Sequence, residues 1–329
     1  MADDSKRQKH WLGVDLGGTK ILAAVFDDRL QRLARAKAEV RATEGADAVI
    51  NRIVDCAREA AAKAEVGWKQ IQGVGVGAPS PIDEKTGRVI YAPNLDWTDL
   101  PLQDILRKRL NAPVFVGNDC NLATLGVHEV EYGAKPRNLL AIYPGTGIGG
   151  GLIVNGGLVN GFNGGAGEFG HMTLNYGGPS GIDKIPGSLE SVAGRAAIAA
   201  RIRRDVANGQ STLLTELAGP DLKEIKSNHL RKAIARGDTY VECVVREAAG
   251  WVGAAIASLI NVVNPEIVVV GGGMIEQMED LILPILRAKA KEYIHPGVRK
   301  GIDIVASKLA DDAGIVGAAV FARRAVVGK

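Results

Sequence analysis

The chain has 329 residues, more than one hydrophobic core ordinarily holds, and its 46% hydrophobic and 23% charged content excludes disorder and a bilayer-embedded protein, so two soluble domains are expected. Its 40 Lys and Arg against 37 Asp and Glu leave a net charge of +3 with the basic residues scattered, which argues against a nucleic-acid partner but suits phosphate ligands. Met1 to His10 is polar with no apolar segment, so neither a signal peptide nor a membrane anchor is predicted. Trp11 to Asp15 reads as a strand running into a glycine turn, Ile21 to Phe26 as the returning strand, and Leu30 to Val40 as a third. Ala46 to Ala64 carries Val49, Ile50, Ile53, Val54, Ala57 and Ala61 at helical spacing, and Ile71 to Val76 is a buried strand. Leu102 to Leu110 predicts a helix and Val114 to Val116 a strand. Asn118-Asp119 stands at that strand's end, before a helix from Asn121 to Glu131.

From Asn138 the pattern begins again, which suggests two related α/β halves. Leu139 to Tyr143 is a strand, a second glycine turn follows, and Gly150 to Val154 returns. Gly161 to Ser188 is long, rich in Gly and Pro, and poor in helix or strand signals, so it is read as a functional segment. Helical patterns run from Leu189 to Val206, Asn228 to Arg236 and Thr239 to Val263. The most apolar part, Ala248 to Val263, is short for a membrane span and reads as a buried helix. Ile267 to Val270 is a buried strand entering a third glycine loop, Gly271 to Gly273, with a helix near Ile275 to Lys291. A strand at Ile302 to Ala306 and a small-residue helix at Ala313 to Val327 close the chain. Cys56, Cys120 and Cys243 are far apart and in no Cys-x-x-Cys pair, which points to a reducing, cytoplasmic compartment and against a thiolate metal site.

The chemistry concentrates at strand ends. Asp15-Leu16-Gly17-Gly18-Thr19-Lys20 and Gly145 to Gly151 each let backbone N–H groups converge on an anion beside a threonine hydroxyl, so two such turns suggest a clamp on a polyphosphate. Asp15 puts a carboxylate where a magnesium-bound water would lie, or else simply closes a turn. Lys20 is a phosphate ligand or a solvated strand residue. Asp119 is the candidate general base for a hydroxyl attacking a γ-phosphorus, or else a helix cap. Asn118, Glu168, His171 and Glu190 supply donors and acceptors for a sugar, and the glycines around Glu168 and His171 would let a polyol approach the backbone.

Asp15 to Lys20, Asn118-Asp119-Cys120-Asn121, Gly145 to Gly151, and Gly161 to His171 with Leu189-Glu190 occur in an order and spacing that resembles the ROK family of repressors and sugar kinases, its bacterial glucokinases most, over nearly the whole chain. The resemblance implies an α/β fold of two ribonuclease H-like domains, of the actin-like ATPase and hexokinase kind, with a substrate cleft between them. Residues 1–118 plus 312–329 would form one domain and residues 119–311 the other. It further implies transfer of the γ-phosphate of ATP, with Mg²⁺, to a hexose, glucose at its 6-hydroxyl first. Asp119 would be the base, and Asn94, Asn118, Glu168, His171 and Glu190 would hold the sugar. Gly17, Gly18, Thr19, Thr146 and Gly147 would hold the phosphates beside Asp15 and Lys20, with Gly272 and Gly273 at the nucleoside. A cytoplasmic homodimer, with no nucleic-acid or membrane partner, completes the expectation.

One departure matters. Most family members bind zinc through three cysteines and the histidine, and those cysteines align with Gly181, Asp183 and Ser188 here. His171 and Asp183 alone fall short of four ligands, so no structural zinc is expected. Packing by Ile182, Ile185 and Pro186 would order the loop instead. Three alternatives stay open: another hexose (fructose, mannose, an N-acetylhexosamine), polyphosphate as donor, and a sugar-sensing regulator without catalysis. The regulator reading lacks room for a helix-turn-helix in the about ten residues before the first strand. A filament or chaperone ATPase would account for the first turn alone.

Overall fold

Residues 9–79, 81–181, 183–298 and 300–328 are described by the computed structural model; most of the Met1 to His10 segment, and Ile182, lie outside them. The chain opens with β1 (His10–Leu16), β2 (Lys20–Phe26) and β3 (Arg32–Glu39), followed by α1 (Ala46–Lys63) and β4 (Ile71–Ala78). Three short strands come next: β5 (Ile82–Asp83), β6 (Arg88–Ala92) and β7 (Trp97–Leu100). After them stand α2 (Leu102–Leu110), β8 (Val114–Asn118), α3 (Asp119–Gly126), β9 (Leu139–Pro144), β10 (Ile148–Val154) and β11 (Gly157–Leu158). The rest is helical around two strands: α4 (Leu189–Ala193), α5 (Arg195–Ala207), α6 (Leu214–Leu217), α7 (Ser227–Ala235), α8 (Thr239–Val263), β12 (Ile267–Val270), α9 (Gly273–Tyr293), β13 (Asp303–Ala306) and α10 (Ala313–Val327).

The repetition read in the sequence is a repetition of sheets. One is ordered β3-β2-β1-β4-β8 and the other β11-β10-β9-β12-β13, so each places an early strand in the middle and adds the later ones outward. β1, β4 and β8 run parallel, as do β9, β12 and β13. The three-stranded sheet β5-β6-β7 has no counterpart in the sequence reading, because strands of two to five residues carry too few alternations to register. The helix expected from Leu189 to Val206 is two helices, broken where Gly194 turns to extended backbone (φ −64°, ψ 148°). The helix after Asn118 ends its α-helical part at Gly126 and finishes as a π-helical turn, Val127–Glu131.

Two compact units follow from the contacts. The first takes its residues from Met1–Lys135, Gly151–Gly167 and Asp311–Lys329, the second from Pro136–Gly150 and Glu168–Ala310. In the first, the apolar face of α1 (Val49, Ile50, Ile53, Val54, Ala57, Ala61) is buried with β1 and β4 side chains. The other face of that sheet is covered by α10, and its small residues are what allow it. A Cβ on Gly13 would lie 1.8 Å from the Ile315 carbonyl oxygen, one on Gly75 1.8 Å from that of Ala318, and one on Gly317 1.6 Å from that of Leu122 in α3. Helix and strand backbones thus meet directly. Overpacking of this kind costs about 1–3 kcal/mol and here meets unyielding backbone on both sides. Gly317→Ala is therefore expected to lower the melting temperature by several degrees in a calorimetric scan, and an unchanged melt would refute the close approach. In the second unit α8 packs along α9 and against α4. Of the described helices it alone is long and apolar enough to cross a membrane, yet 61% of its most apolar window is buried inside the protein.

Candidate active site

In the first unit the register of three parallel strands aligns the chemistry. Asp15 pairs with Gly77 across β1 and β4, Gly77 with Gly117 across β4 and β8, and Ala78 with Asn118. Parallel sheets keep their ligands at these carboxyl ends. Asp119 follows at once, as the first residue of α3. Gly77 is the gap that lets the two carboxylates share one space: a Cβ there would lie 3.2 Å from Asp119 Cα and 3.8 Å from Asp15 Oδ1. Nothing in the sequence marked Gly77 as part of the site, because its role depends on what its neighbours across the sheet carry.

The cap alternative for Asp119 is resolved by its neighbour. Asn118 Oδ1 accepts from the Asn121 N–H at 2.9 Å and is the cap of α3, whereas Asp119 Oδ1 accepts from the adjacent Cys120 N–H at 2.8 Å. Burial pushes the Asp119 carboxyl above its usual range, with the Cys120 N–H opposing. Asp15 is pushed up to about 7, first by burial and then by the negative charge of Asp119, with Lys20 opposing and Asp311 adding to the rise. Lys20 Nζ lies 2.6 Å from Asp311 Oδ2, so this lysine is ion-paired rather than merely solvated. Asn94, expected at the sugar, lies against the first glycine turn, its Nδ2 3.4 Å from where a Cβ on Gly18 would stand. The turn is closed by the Gly17 N–H donating to the Lys20 carbonyl at 3.0 Å, and the Thr19 carbonyl accepts from Val40.

Beside Asn118 is a cavity of about 20 Å³, room for one water, lined in part by Glu84, Asn121 and Asn160. The Glu84 carboxyl is pushed up by burial and bonds Asn160. Glu84 and Asn160 were not picked out from the sequence, where they sit in unremarkable loops, whereas Asn121 belongs to the Asn118 to Asn121 motif and stands in α3.

The second unit gathers its own set. The turn at Gly145 is tied by its N–H to the Gly147 carbonyl at 2.8 Å. Glu190, expected at the sugar, also braces this turn: its Oε2 accepts from the Ile148 N–H at 2.8 Å and fills the space a Cβ on Gly147 would need. Gly272 starts α9 at φ +82°, and its missing Cβ lets the third glycine loop press on the Pro144 carbonyl at the end of β9. The second and third glycine loops are thus neighbours.

Glu168 and His171 do converge. His171 Nε2 lies 3.5 Å from Glu168 Oε2, and its Nδ1 lies 3.3 Å from Asp183 Oδ2. One glycine beside them packs on backbone. Gly170 lets the turn press on the Ile148 carbonyl, and Gly150 leaves space for the Phe169 ring. At the three positions aligned with cysteines, Gly181 packs on Ser191, Ser188 caps α4 through Oγ to the Ser191 N–H, and the Asp183 side chain, 2% exposed, faces His171. Among the described residues no group of three or more His, Cys, Asp and Glu is placed to hold a metal. The packing expected of Ile185 and Pro186 is not what orders this loop, since Pro186 is exposed and Ile185 only partly covered. Backbone bonds do it: Leu174 and Asn175 donate to the Gly187 carbonyl and Gly187 to that of Pro179, with Gly187 at φ +65°.

The ROK family model matches residues 11–325, nearly the whole chain and every residue assembled above. The chain belongs to the ROK family. Among its relatives, the glucokinase of Thermotoga maritima is 34% identical over 96% of this chain and 98% of its own. The glucokinase of Streptomyces coelicolor is 34% identical over 95% and 97%. The ROK family glucokinase from Streptomyces griseus, solved with glucose and AMPPNP, superposes with a TM-score of 0.84 at 31% identity, over 96% of this chain and 99% of that one. Members of the ROK family thus share the whole fold with this chain, in the doubled α/β form expected of actin-like and hexokinase-like ATPases.

Proposed function

We propose that the chain is an ATP-dependent hexose kinase acting on glucose at its 6-hydroxyl. The observation that carries this is the Asp119 carboxylate, held at the end of β8 across Gly77 from Asp15, with α3 capped by Asn118 and so left to chemistry. Asp119 accepts the proton of the sugar hydroxyl as that oxygen bonds to the γ-phosphorus and the bond to the β-phosphate oxygen breaks, releasing ADP. A carboxyl raised by burial is a stronger base than one in water. Asn94, Asn118, Glu168, His171 and Glu190 orient the sugar, Glu190 with the oxygen not spent on Ile148. Gly17, Gly18, Thr19, Lys20, Thr146 and Gly147 bind phosphates, with Gly272 and Gly273 at the nucleoside. Asp15 suits Mg²⁺, which takes one or two carboxylates and keeps its waters, because burial and two neighbouring carboxylates favour a cation there. Bound magnesium would neutralise phosphate charge. The enzyme works as a cytoplasmic homodimer in sugar breakdown, without structural zinc.

An ADP-release assay crossing a dozen hexoses with ATP and polyphosphate tests the reading. Glucose with ATP is expected to give the highest kcat/KM, and no turnover with any hexose would refute the kinase. Metal analysis of the purified protein is expected to find zinc far below one per chain. For Asp183→Ala, the loss of the partner that fixes the His171 ring is expected to raise the sugar KM about tenfold while the ATP KM stays put. Equal changes in both would show a general loosening instead.

A further inference from the structure

The second glycine turn carries an arginine that forms no direct ion pair among the described residues, although the charge of Glu224 acts on it. Arg195 opens α5, and its backbone N–H donates to the Gly145 carbonyl at 3.1 Å while that of Ala196 donates to the Thr146 carbonyl at 3.0 Å. Helix start and turn are therefore locked together. The Arg195 side chain folds over the same turn, with Nη2 donating to Thr146 Oγ1 and Nη1 to the Ile225 carbonyl at 2.6 Å. Among the described residues Arg195 makes no ion pair, because Glu224, the opposite charge that acts on it, is bonded to Lys226 at 3.1 Å.

That arrangement leaves part of the guanidinium's donor capacity open. A guanidinium stays charged under all ordinary conditions, and burial acts against its charge here. Two of its N–H groups are spent on neutral oxygens, and the remaining donors suit an oxyanion with two or more acceptor oxygens. The Thr146 hydroxyl points to the same conclusion. Its oxygen accepts from Arg195, so its own proton is free to be donated elsewhere, and the residue is exposed.

We propose that Arg195 is a ligand of the donor's outer phosphates, gripping a phosphoryl oxygen together with the Thr146 hydroxyl and the N–H groups of the second glycine turn. The identity of the donor as ATP rests on the kinase reading, whereas the anion chemistry does not. In the sequence Arg195 is one more basic residue in a helical run, and only the break at Gly194 aims it at the turn.

Titration calorimetry on the whole chain, with ATP, inorganic tripolyphosphate and adenosine, tests this. Arg195→Ala is expected to weaken ATP and tripolyphosphate about 10–100-fold, the worth of charge-assisted hydrogen bonds, and adenosine and hexose by less than about twofold. Arg195→Lys should recover part of the loss and, melting like the native chain, carries the test if the alanine variant does not fold. Unchanged or absent tripolyphosphate binding, or equal weakening of adenosine, would overturn the assignment. If no hexose is phosphorylated yet tripolyphosphate binding falls as stated, the kinase reading fails and the arginine site stands. If hexoses turn over while the ATP affinity ignores both variants, the reverse holds.

Discussion

Asp119→Asn is expected to lower kcat about 10²–10⁴-fold, the contribution of a positioned general base, while the sugar KM stays within about threefold of native. The substitution is nearly isosteric, and its amide oxygen still accepts from the Cys120 N–H, so the start of α3 and the Asn118 cap persist. What is lost is a proton acceptor opposite the attacking hydroxyl. The native enzyme carries a second signature of the same group. Because burial holds this carboxyl above its usual range, kcat should fall on the acid side through an apparent pKa above that of an ordinary aspartate, and the Asn variant should lack that limb. A steady-state pH profile from 5 to 9 reads both. An unchanged kcat in the variant would place the base elsewhere.

The candidate site was legible in the sequence wherever a motif is contiguous, and obscure wherever the fold brings distant residues together. Asp15 to Lys20, Gly145 to Gly151 and Asn118-Asp119 each sit at a strand end because apolar runs and glycine turns are local signals, and the ends that carry Asp15 and Asn118-Asp119 share one edge of their sheet because β1, β4 and β8 are parallel. Gly77 and Arg195 gave no signal. The first matters through two carboxylates contributed by other strands, the second through a helix break that turns its side chain over a loop 49 residues away. Glu190 shows the same limit from the other side, since it was named for the sugar but spends one oxygen bracing the second turn. The missing cysteines were visible from the sequence, yet what replaces them was not. Backbone pairing around Gly187 and the buried Asp183 facing His171 do not register in hydrophobic pattern at all.

Asp15→Asn should separate stability from activity in one residue. The folded-state pKa of Asp15 is about 7, against 3.8 for the unperturbed carboxyl of an unfolded chain, so between those values the native state holds a proton that the unfolded state has released. Stability contributed by this group is therefore present below about pH 4 and is lost as pH rises through 7. A shift of that size is worth about 4 kcal/mol at most, and solvent reaching the partly exposed side chain reduces it to about 1–2 kcal/mol. Asparagine carries no charge to bury, so at pH 8 the variant should melt a few degrees above the native chain, with the gap narrowing toward pH 4. The same change should cost about 10²–10³ in kcat, the several kcal/mol by which a well-held cation stabilises a transferring phosphoryl group. Adding magnesium and ATP should raise the native melting temperature more than that of the variant, because only the native carboxylate gains from a cation beside it. Scans at pH 5 and pH 8, each with and without the nucleotide, make four comparisons. A variant that melts below the native chain at pH 8 would sink the claim that this carboxylate is buried at a cost. One that keeps its full kcat would show that the cost serves some purpose other than holding the metal.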